Sequence, residues 1–415
     1  MIGFTEILPK ALKQYQLPGL SVAGFVKDRS FAWSGGFADL ETQRAISPDT
    51  LFPIASCTKP VTAALVMDQV QRGNFDLDTT LKSLVPEFRL MDPKAAREMT
   101  VRDLLCHRTG LPPHTWSWVF GDVDRDTFML ERLPHLASHC GFRDRHAYSN
   151  IMYAFAGTVL QRTMGKSWEQ LVDPRFEHLE SKWFEHPNVA LPYRASRRIP
   201  FFHAQKNHLI APASELMAAA PVLAGWLREQ DVAEMAVPQT RISSQTQYGL
   251  GWRISKTVGG HREIWHSGQC SGYTAWMSSV PRLDAGIVLL TNHHGAVDEL
   301  SAMANQFYAR IQSMDHPLPE MVRGSGRRDN RVPWETSAKS FDHVRYENPG
   351  YGRFEIKGRQ AWFQNVGPFD LLQDEEQRLG FELPVYGVRF LMTRTPDTVS
   401  IPFDSKVEPI KFERV

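Results

Sequence analysis

The sequence predicts a mixed α/β (α+β) fold followed by a small all-β domain. Three observations support this prediction: strand patterns at residues 19–37 and again at 248–292, helix-forming segments from about 76 to 240, and short alternating segments beyond residue 341. Strands at both ends of the first part, with helices between them, predict one sheet assembled from distant parts of the chain.

The bulk composition excludes several classes of partner. The 415 residues carry a formal net charge of +1 at pH 7, with 42% hydrophobic and 22% charged residues. This balance is ordinary for a globular protein with a large core and predicts no nucleic-acid partner. The sequence has no run of 18 apolar residues, so no membrane partner is expected. The N-terminus shows no export signal, which predicts a cytoplasmic protein.

The cysteine and histidine spacing predicts neither a metal site nor a disulfide framework. The sequence has four cysteines: Cys57, Cys106, Cys140 and Cys270. They lie far apart without a CxxC pair, so reduced and mostly buried thiols are expected. His293 and His294 are adjacent, but no third ligand is spaced to join them. No metal and no cofactor is therefore predicted.

The first elements can be placed from periodicity and breaker residues. Residues 19–37 predict a β-hairpin, because two apolar runs flank a polar turn at 27–29. From about residue 58 to 72 the apolar positions follow a helical period. Pro60 falls in the first turn of this helix, where a missing N–H costs little, and Gly73 ends it.

Later elements follow from the same signals. Thr100 begins a capped helix, since a carboxylate follows three residues on. Strand patterns return at 248–292, where residues 248–252 and the fully apolar 286–290 are examples. A last helix is predicted from about residue 297 to 311.

The composition also divides the chain. Residues 316–337 are rich in Pro, Gly, Arg and Asp and predict a linker. The linker separates a large first domain at 1–315 from residues 338–415. In this last part, short alternating segments are broken by Gly and Pro, which predicts a small all-β domain.

The first chemical signal is a serine followed three residues later by a lysine. Ser56 and Lys59 form this pair, and a match of this kind is expected about once by chance in a chain of this length. Taken alone, the pair is better explained by Ser56 as a helix cap and Lys59 as a solvated surface charge. The pair, however, follows an apolar segment and opens a helix, so both side chains share one face. A desolvated lysine can take the proton that makes a serine hydroxyl nucleophilic.

Two further motifs strengthen this prediction. Tyr148 and Asn150 precede a helix-like segment, and His266 and Gly268 follow a strand-like one. The order Ser-x-x-Lys, Tyr-x-Asn and basic residue-x-Gly resembles that of class C β-lactamases, DD-peptidases and related esterases. The resemblance covers roughly residues 8–312, and further segments share it: 17–23, 100–111, 248–252 and 289–292.

The resemblance implies an architecture. It predicts an antiparallel sheet flanked by helices plus a mainly helical subdomain, as in β-lactamases and DD-peptidases. The tail around Tyr346 and residues 348–352 looks like the small, lipocalin-like β-barrel often appended to cytosolic members of the family.

The resemblance also implies roles. Ser56 would attack a carbonyl carbon and form an acyl-enzyme. Lys59 and the phenol of Tyr148 would share the base and acid steps, and either of them could be the base. Asn150 would hydrogen-bond the substrate amide or Lys59.

The remaining candidates lie on the predicted strand and nearby loops. Backbone N–H groups of Ser56 and Gln269 would form an oxyanion hole. His266 takes the place of the lysine found in β-lactamases and most DD-peptidases. Weaker candidates for substrate binding are Gly268, Arg143, Arg145 and Trp116. The arginines could bind a carboxylate, although a solvated loop is the commoner explanation, and the tryptophan could form an aromatic lip or pack in the core.

The histidine at position 266 favours a substrate other than a β-lactam. The leading expectation is a serine hydrolase that cleaves amide bonds in small peptides with D- or non-proteinogenic residues, for example linear toxin or secondary-metabolite peptides. A carboxylesterase and an acyltransferase or peptide cyclase stay open as alternatives. A β-lactamase and a non-catalytic acyl sensor rank below them.

Overall fold

The structure is a computed structural model of the chain. It describes residues 2–119, 123–179, 185–194, 196–199, 208–314, 316–319, 335–364, 366–374, 376–383 and 388–415. The strands are β1 (Gly19–Val26), β2 (Arg29–Asp39), β3 (Arg44–Ala45), β4 (Phe52–Pro53), β5 (Glu177–His178), β6 (Tyr193–Arg194), β7 (Arg197–Arg198), β8 (Leu216–Ala218), β9 (Thr240–Arg241), β10 (Gln247–Tyr248), β11 (Arg253–Lys256), β12 (Arg262–Cys270), β13 (Tyr273–Val280), β14 (Ala285–Thr291), β15 (Glu335–Thr336), β16 (Phe341–Asn348), β17 (Gly352–Gly358), β18 (Gln360–Phe363), β19 (Val366–Gln373), β20 (Leu379–Leu383), β21 (Val388–Leu391), β22 (Thr393–Arg394), β23 (Thr398–Ile401) and β24 (Ile410–Arg414).

The helices have the following bounds: α1 (Ile2–Thr5), α2 (Leu8–Gln14), α3 (Thr58–Gln71), α4 (Leu81–Leu84), α5 (Pro93–Glu98), α6 (Val101–Leu105), α7 (Thr115–Trp118), α8 (Arg125–Thr127), α9 (Asn150–Met164), α10 (Trp168–Leu171), α11 (Ala211–Ser214), α12 (Ala220–Glu229) and α13 (Val297–Ile311). Ala55–Cys57, Leu133–His135 and Pro281–Leu283 are short 3₁₀ turns, and Phe128–Arg132 is a π-helical turn. None of the helices in the described ranges combines the length and the apolar character that crossing a bilayer requires.

The main sheet joins the two ends of the first domain. Across the described residues it has nine antiparallel strands in the order β3-β2-β1-β14-β13-β12-β11-β10-β9. Val22 of β1 lies opposite Leu289 of β14, so the centre of the sheet comes from distant parts of the chain, as predicted. The strands β1, β13 and β14 are buried along almost their whole length, because helices cover both faces.

The two faces of the sheet have separate cores. On one face, α1, α2 and α13 pack through side chains such as Phe4, Leu8 and Phe307. On the other face, α3, α9 and α12 contribute to a larger core that includes Val66, Phe155 and Leu223. This second face carries the start of α3 and therefore Ser56.

Most predicted elements of the first domain are confirmed. The hairpin β1–β2 turns at residues 27–28, α3 has Pro60 in its first turn, and Gly73 follows its cap with φ +74°. Thr100 and Asp103 form a capping box at the start of α6. The segment 249–252 differs, because it forms a bend between β10 and β11 rather than a strand. Gly251 has φ +81° there, which a regular strand does not allow.

The C-terminal part is a near-closed all-β barrel. Ten strands pair in the order β21-β20-β19-β18-β17-β16-β24-β23-β22, with β15 beside β19, when counted over the residues described. Its interior is filled by aromatic side chains: Phe354, Phe363, Phe381, Phe403 and Phe412. Strand β15 lies within the predicted linker, and residues 320–334 of that linker are outside the described ranges.

The barrel packs against residues 111–119 of the helical part. The hydroxyl of Tyr351 lies 2.7 Å from Nδ1 of the buried His114. The rings of Trp116 and Phe390 meet edge to face with centroids 5.3 Å apart. Gln364 Nε2 donates to the carbonyl oxygen of Ser117 at 3.3 Å. The barrel and the helical part thus share one apolar core.

Candidate active site

Ser56 lies in the 3₁₀ turn that leads into α3. Strand β12 approaches this turn closely, since a Cβ built on Gly268 would lie 2.0 Å from Ile54 O and 3.1 Å from the Ser56 nitrogen. A side chain at position 268 is therefore excluded by backbone atoms. This contact sets Ser56 beside the strand predicted to carry the third motif.

Lys59 is fully buried one helical turn after Ser56. Its Nζ lies 3.1 Å from Ser56 Oγ, 2.6 Å from Asn150 Oδ1 and 2.9 Å from the carbonyl oxygen of Ala213. Three oxygen atoms therefore surround the amine. All three accept from its N–H groups, and two of them, the amide oxygen of Asn150 and the carbonyl oxygen of Ala213, can only accept.

Tyr148 and Asn150 reach the same point from the start of α9. The Tyr148 hydroxyl donates to Ser56 Oγ at 2.9 Å, and the Lys59 amine lies 4.8 Å from the centre of the Tyr148 ring. Asn150 is the first residue of α9, so its amide projects from the end of the helix toward Lys59. The structure thus brings together the four residues of the first two motifs.

Burial sets the charge of these groups. It holds the pKa of Lys59 well below its usual 10.5; the nearby Cys57 thiol opposes this shift, and the cation of Arg253 adds to it. Burial also raises the pKa of Tyr148 to about 12, against the effect of its hydrogen bond with Ser56. The lowered pKa of the amine favours its neutral form, while Tyr148 is a neutral phenol at neutral pH.

His266 lies on β12 and is 1% exposed. Its Nδ1 lies 2.8 Å from the carbonyl oxygen of Ser267, which can only accept, so Nδ1 carries the proton. Its Nε2 then accepts from the hydroxyl of Tyr248 at 3.1 Å. Burial, followed by the charges of Arg253 and Lys59, holds the pKa of His266 well below 6.5. This imidazole is uncharged, unlike a lysine at the same position.

Comparison with known protein families identifies the family of the chain. The model of the Beta-lactamase family matches residues 4–309. The chain belongs to the Beta-lactamase family. The order of the three motifs in the sequence predicted this family.

Relatives of this Beta-lactamase family member include hydrolases. An unguisins hydrolase from Aspergillus campestris is 24% identical over 331 residues, which are 70% of this chain and 61% of that protein. The Staphylococcus aureus protein flp is 24% identical over 316 residues, 69% of this chain and 62% of that protein. The chain thus spans about three fifths of the length of these curated relatives.

Solved structures of similar fold cover most of the family member. The octameric penicillin-binding protein homologue from Pyrococcus abyssi has a TM-score of 0.66 at 19% identity, covering 99% of both chains. A D-amino acid amidase from Ochrobactrum anthropi, in complex with L-phenylalanine, has a TM-score of 0.63 at 21% identity, covering 75% of this chain and 98% of that one. At these identities the likeness shows the fold.

The remaining residues predicted to bind substrate or to form the oxyanion hole differ in their surroundings. Arg143 Nη2 donates to the buried carboxylate of Asp103 at 2.7 Å, and this pairing competes with a role in substrate binding. Arg145 is exposed on the loop before Tyr148. Trp116 is 9% exposed against Phe390, which favours the alternative of core packing over an aromatic lip. Gln269 is exposed on β12.

Three further groups at the site were missed by sequence reasoning. The carbonyl of Ala213 carries no sequence signal, since any residue could supply it. Tyr248 and His107 both lie in segments that share the family resemblance, but none of the three motifs includes them or assigns them a role. The ring of His107 lies 4.3 Å from that of Tyr148 and 4.8 Å from that of Tyr248.

The cysteines next to Ser56 and Gln269 form no disulfide bond in the described part of the chain. Cys57 and Cys270 are free thiols. Over the described part of the chain, no three His, Cys, Asp or Glu side chains are grouped to hold a metal ion.

Proposed function

We propose that this protein is a serine hydrolase that cleaves amide bonds in small peptides with D- or non-proteinogenic residues through an acyl-enzyme on Ser56. One observation carries the proposal: Tyr148, Ser56 and Lys59 form a continuous chain of contacts that ends on two acceptors, Asn150 Oδ1 and Ala213 O. Such a chain can move a proton away from the nucleophile and return it to a leaving group.

Lys59 fits the role of general base. A neutral amine has two N–H donors and one lone pair. Asn150 Oδ1 and Ala213 O take up the two donors, so the lone pair is left for the hydroxyl proton of Ser56. The lowered pKa of Lys59 supplies this neutral form. We infer that Lys59, rather than Tyr148, takes the serine proton.

Tyr148 fits the role of general acid. Its pKa of about 12 makes the phenolate too rare at neutral pH to act as the base. The phenol instead donates toward Ser56 Oγ, next to the point where the leaving nitrogen of an amide would lie. A proton delivered there makes the nitrogen a better leaving group, and the cationic Lys59 formed in the first step can replace that proton.

The edge of β12 offers a place for an extended substrate. Pairing with β11 ends at Trp265, so residues 266–270 have no strand on that side within the described part of the chain. A peptide could pair with this edge as an added strand. The backbone N–H groups of Ser56 and Gln269 would then bind the carbonyl oxygen, and each such donor contributes about 3–4 kcal/mol in comparable enzymes.

The substrate class rests on two supports. The neutral, buried His266 offers no cation to the carboxylate that β-lactams and cell-wall peptides carry. The names of two similar proteins, an unguisins hydrolase and a D-amino acid amidase, favour amide bonds in unusual small peptides. Both supports favour an amidase or peptidase over a β-lactamase.

The test is a mass-spectrometric screen. Wild type and Ser56→Ala are incubated with matched amides, esters and linear peptides that contain D- or L-residues, and with a penicillin. We expect wild type to cleave the D-residue amides and to form an acyl adduct on the enzyme fragment that contains Ser56. Ser56→Ala should show neither the cleavage nor the adduct. The exposed Ser244→Ala serves as the matched control and should keep full activity.

Other outcomes of this screen would change the assignment. Cleavage of esters alone would make the protein a carboxylesterase. Transfer of the acyl group to an added amine, or ring closure of a peptide ester, would make it an acyltransferase or cyclase. Turnover that persists in Ser56→Ala would remove the nucleophile and with it the whole scheme.

A further inference from the structure

His107 lies behind Tyr148 and has no part in the chemistry above. It follows the last residues of α6 and has φ +58°, in the left-handed region. At this position after a helix Gly and then Asn are favoured, because a Cβ is disfavoured there. A fully buried histidine at such a place indicates a requirement for its side chain.

His107 binds both neighbours of Tyr148. Its carbonyl oxygen accepts from the Ala147 nitrogen at 2.7 Å, and its Nδ1 accepts from the Ser149 nitrogen at 3.2 Å. Its ring lies against the Tyr148 ring at a centroid distance of 4.3 Å and an angle of 39°. One residue therefore fixes the backbone on either side of Tyr148 and supports the phenol from behind.

The hydrogen bond from Ser149 sets the tautomer of His107. A backbone N–H donates to Nδ1, so the ring proton is on Nε2. Burial holds the pKa of His107 well below 6.5, and neighbouring cations and imidazoles act in the same direction: His146, Lys59, His266 and Arg253. The rings packed around it are those of Tyr148, Tyr153, Tyr248 and His146. In a protonated ring Nδ1 would carry a hydrogen that faces the N–H of Ser149, and the hydrogen bond between them would be lost.

We propose that His107 is a positioning residue whose neutral imidazole holds Tyr148 at hydrogen-bond distance from Ser56. The inference rests on the proposed role of Tyr148 as proton donor to the leaving group. Without the acceptor at Nδ1, the buried N–H of Ser149 loses its partner and the 147–149 backbone can turn. The phenol would then leave its place 2.9 Å from Ser56 Oγ.

The experiment compares His107→Asn with His107→Gln. The Asn oxygen can occupy the place of Nδ1, and Asn is tolerated at positive φ. Gln carries its amide one bond further out, at the place of Nε2, and leaves Ser149 without an acceptor. The substrates are a p-nitroanilide and a p-nitrophenyl ester of one acyl group. The anilide nitrogen must be protonated as its bond to carbon breaks, whereas nitrophenolate departs as an anion.

We expect His107→Gln to slow acylation by the anilide about 10- to 100-fold and acylation by the ester less than about threefold. His107→Asn should restore most of the anilide rate. A merely structural role would lower both rates by the fraction of protein unfolded, which circular dichroism of each variant measures. Equal loss on both substrates, or no restoration by Asn, would overturn the proposal.

Tyr148→Phe separates this proposal from the proposed function. If Tyr148→Phe leaves the ratio of anilide to ester rates unchanged, the acid role of Tyr148 fails. If it changes that ratio, the double variant Tyr148→Phe with His107→Gln should be no slower than Tyr148→Phe alone, and additive losses would overturn the role of His107. Nitrogen NMR of histidine-labelled wild type gives a test independent of folding, since a proton on Nδ1 of His107 would contradict the assigned contact.

Discussion

Gly268 of β12 lies so close to Ile54 that a Cβ at position 268 would be 2.0 Å from the Ile54 carbonyl oxygen. This contact joins the central sheet to the turn that carries Ser56. The backbone of β12 reaches Ser56 only because position 268 has no side chain.

Gly268→Ala tests this contact. The added methyl group must push β12 away from residues 54–56, because its nearest neighbours are backbone atoms that cannot rotate aside. We expect a loss of about 1–3 kcal/mol in the free energy of unfolding. We also expect kcat to fall about 100-fold, as the proposed oxyanion-hole donor, the N–H of Gln269, moves away from the reacting carbonyl. Denaturant unfolding and steady-state kinetics measure the two effects.

Gly225→Ala is the matched control. Gly225 lies in α12, where the nearest atom to an added Cβ is 4.0 Å away. The change should leave kcat unaltered and raise the free energy of unfolding by roughly 0.5–1 kcal/mol through helix propensity. An unaffected kcat in Gly268→Ala would show that the close approach of β12 has no part in catalysis.

The pH dependence of kcat/KM should report the protonation of Lys59. In the proposed mechanism the reactive form of Lys59 is the neutral amine, and burial holds its pKa well below 10.5. Activity is therefore expected to be present above this lowered pKa and to fall as the pH decreases through it, because the proton removes the base. A profile of kcat/KM for an amide substrate from about pH 5 to 9 measures this fall, the acidic limb of the profile.

Two variants assign the limb to Lys59. Lys59→Arg keeps a cation that cannot lose its proton, so it should be inactive at every pH in the range. His266→Gln removes the imidazole that contacts Tyr248 and should leave the position of the limb unchanged. A limb that moves in His266→Gln would reassign the titration to the histidine.

Glu263 should make stability depend on pH. Burial raises its pKa from 4.5 to about 7, against the effect of a hydrogen bond with Ser278. The folded state then binds a proton that the unfolded state has released, so the free energy of unfolding falls as the pH rises from 4.5 to about 7. Glu263→Gln should remove this slope and stabilise the protein above pH 7 by roughly 3 kcal/mol.

Urea unfolding of both proteins at several pH values provides the measurement. Glu234→Gln is the control, because Glu234 is exposed and should leave the pH slope in place. The same slope in Glu263→Gln and wild type would show that another group carries it.

The candidate catalytic side chains could be predicted because their spacing is local. Ser56 and Lys59 are three residues apart at the start of a helix, which sets them on one face whatever the rest of the chain does. Tyr148 and Asn150 stand beside the first turn of α9 in the same way. Short-range geometry of this kind can be predicted from residue spacing alone, and the family resemblance supported it through the order of the three motifs along the chain.

Other parts of the site depend on contacts between distant segments. The carbonyl of Ala213 reaches Lys59 across 154 positions in the chain. The family resemblance likewise predicted that His266 replaces a lysine, but its contact with Tyr248 depends on the place of β10 in the sheet, where β11 separates it from β12. The sequence left two roles open for Trp116, an aromatic lip over the site and packing in the core, because the barrel residue Phe390 that covers it is 274 positions away.

The attachment of the barrel gives a last prediction. The Tyr351 hydroxyl is bonded to His114, whose other ring nitrogen lies 2.8 Å from the carbonyl oxygen of Ala137. Tyr351→Phe leaves His114 Nδ1 buried without this partner, so we expect a loss of about 1–3 kcal/mol. Hydrogen exchange should become faster in residues 111–119.

Tyr346→Phe makes the same chemical change inside the barrel, where the hydroxyl accepts from Arg394 at 2.9 Å. It should destabilise the barrel and leave exchange in residues 111–119 as in wild type. Exchange in this segment that responds equally to both variants would show that His114 and Tyr351 do not anchor it. A response to Tyr351→Phe alone ties the order of the segment to the barrel, because only that variant removes a bond between the two.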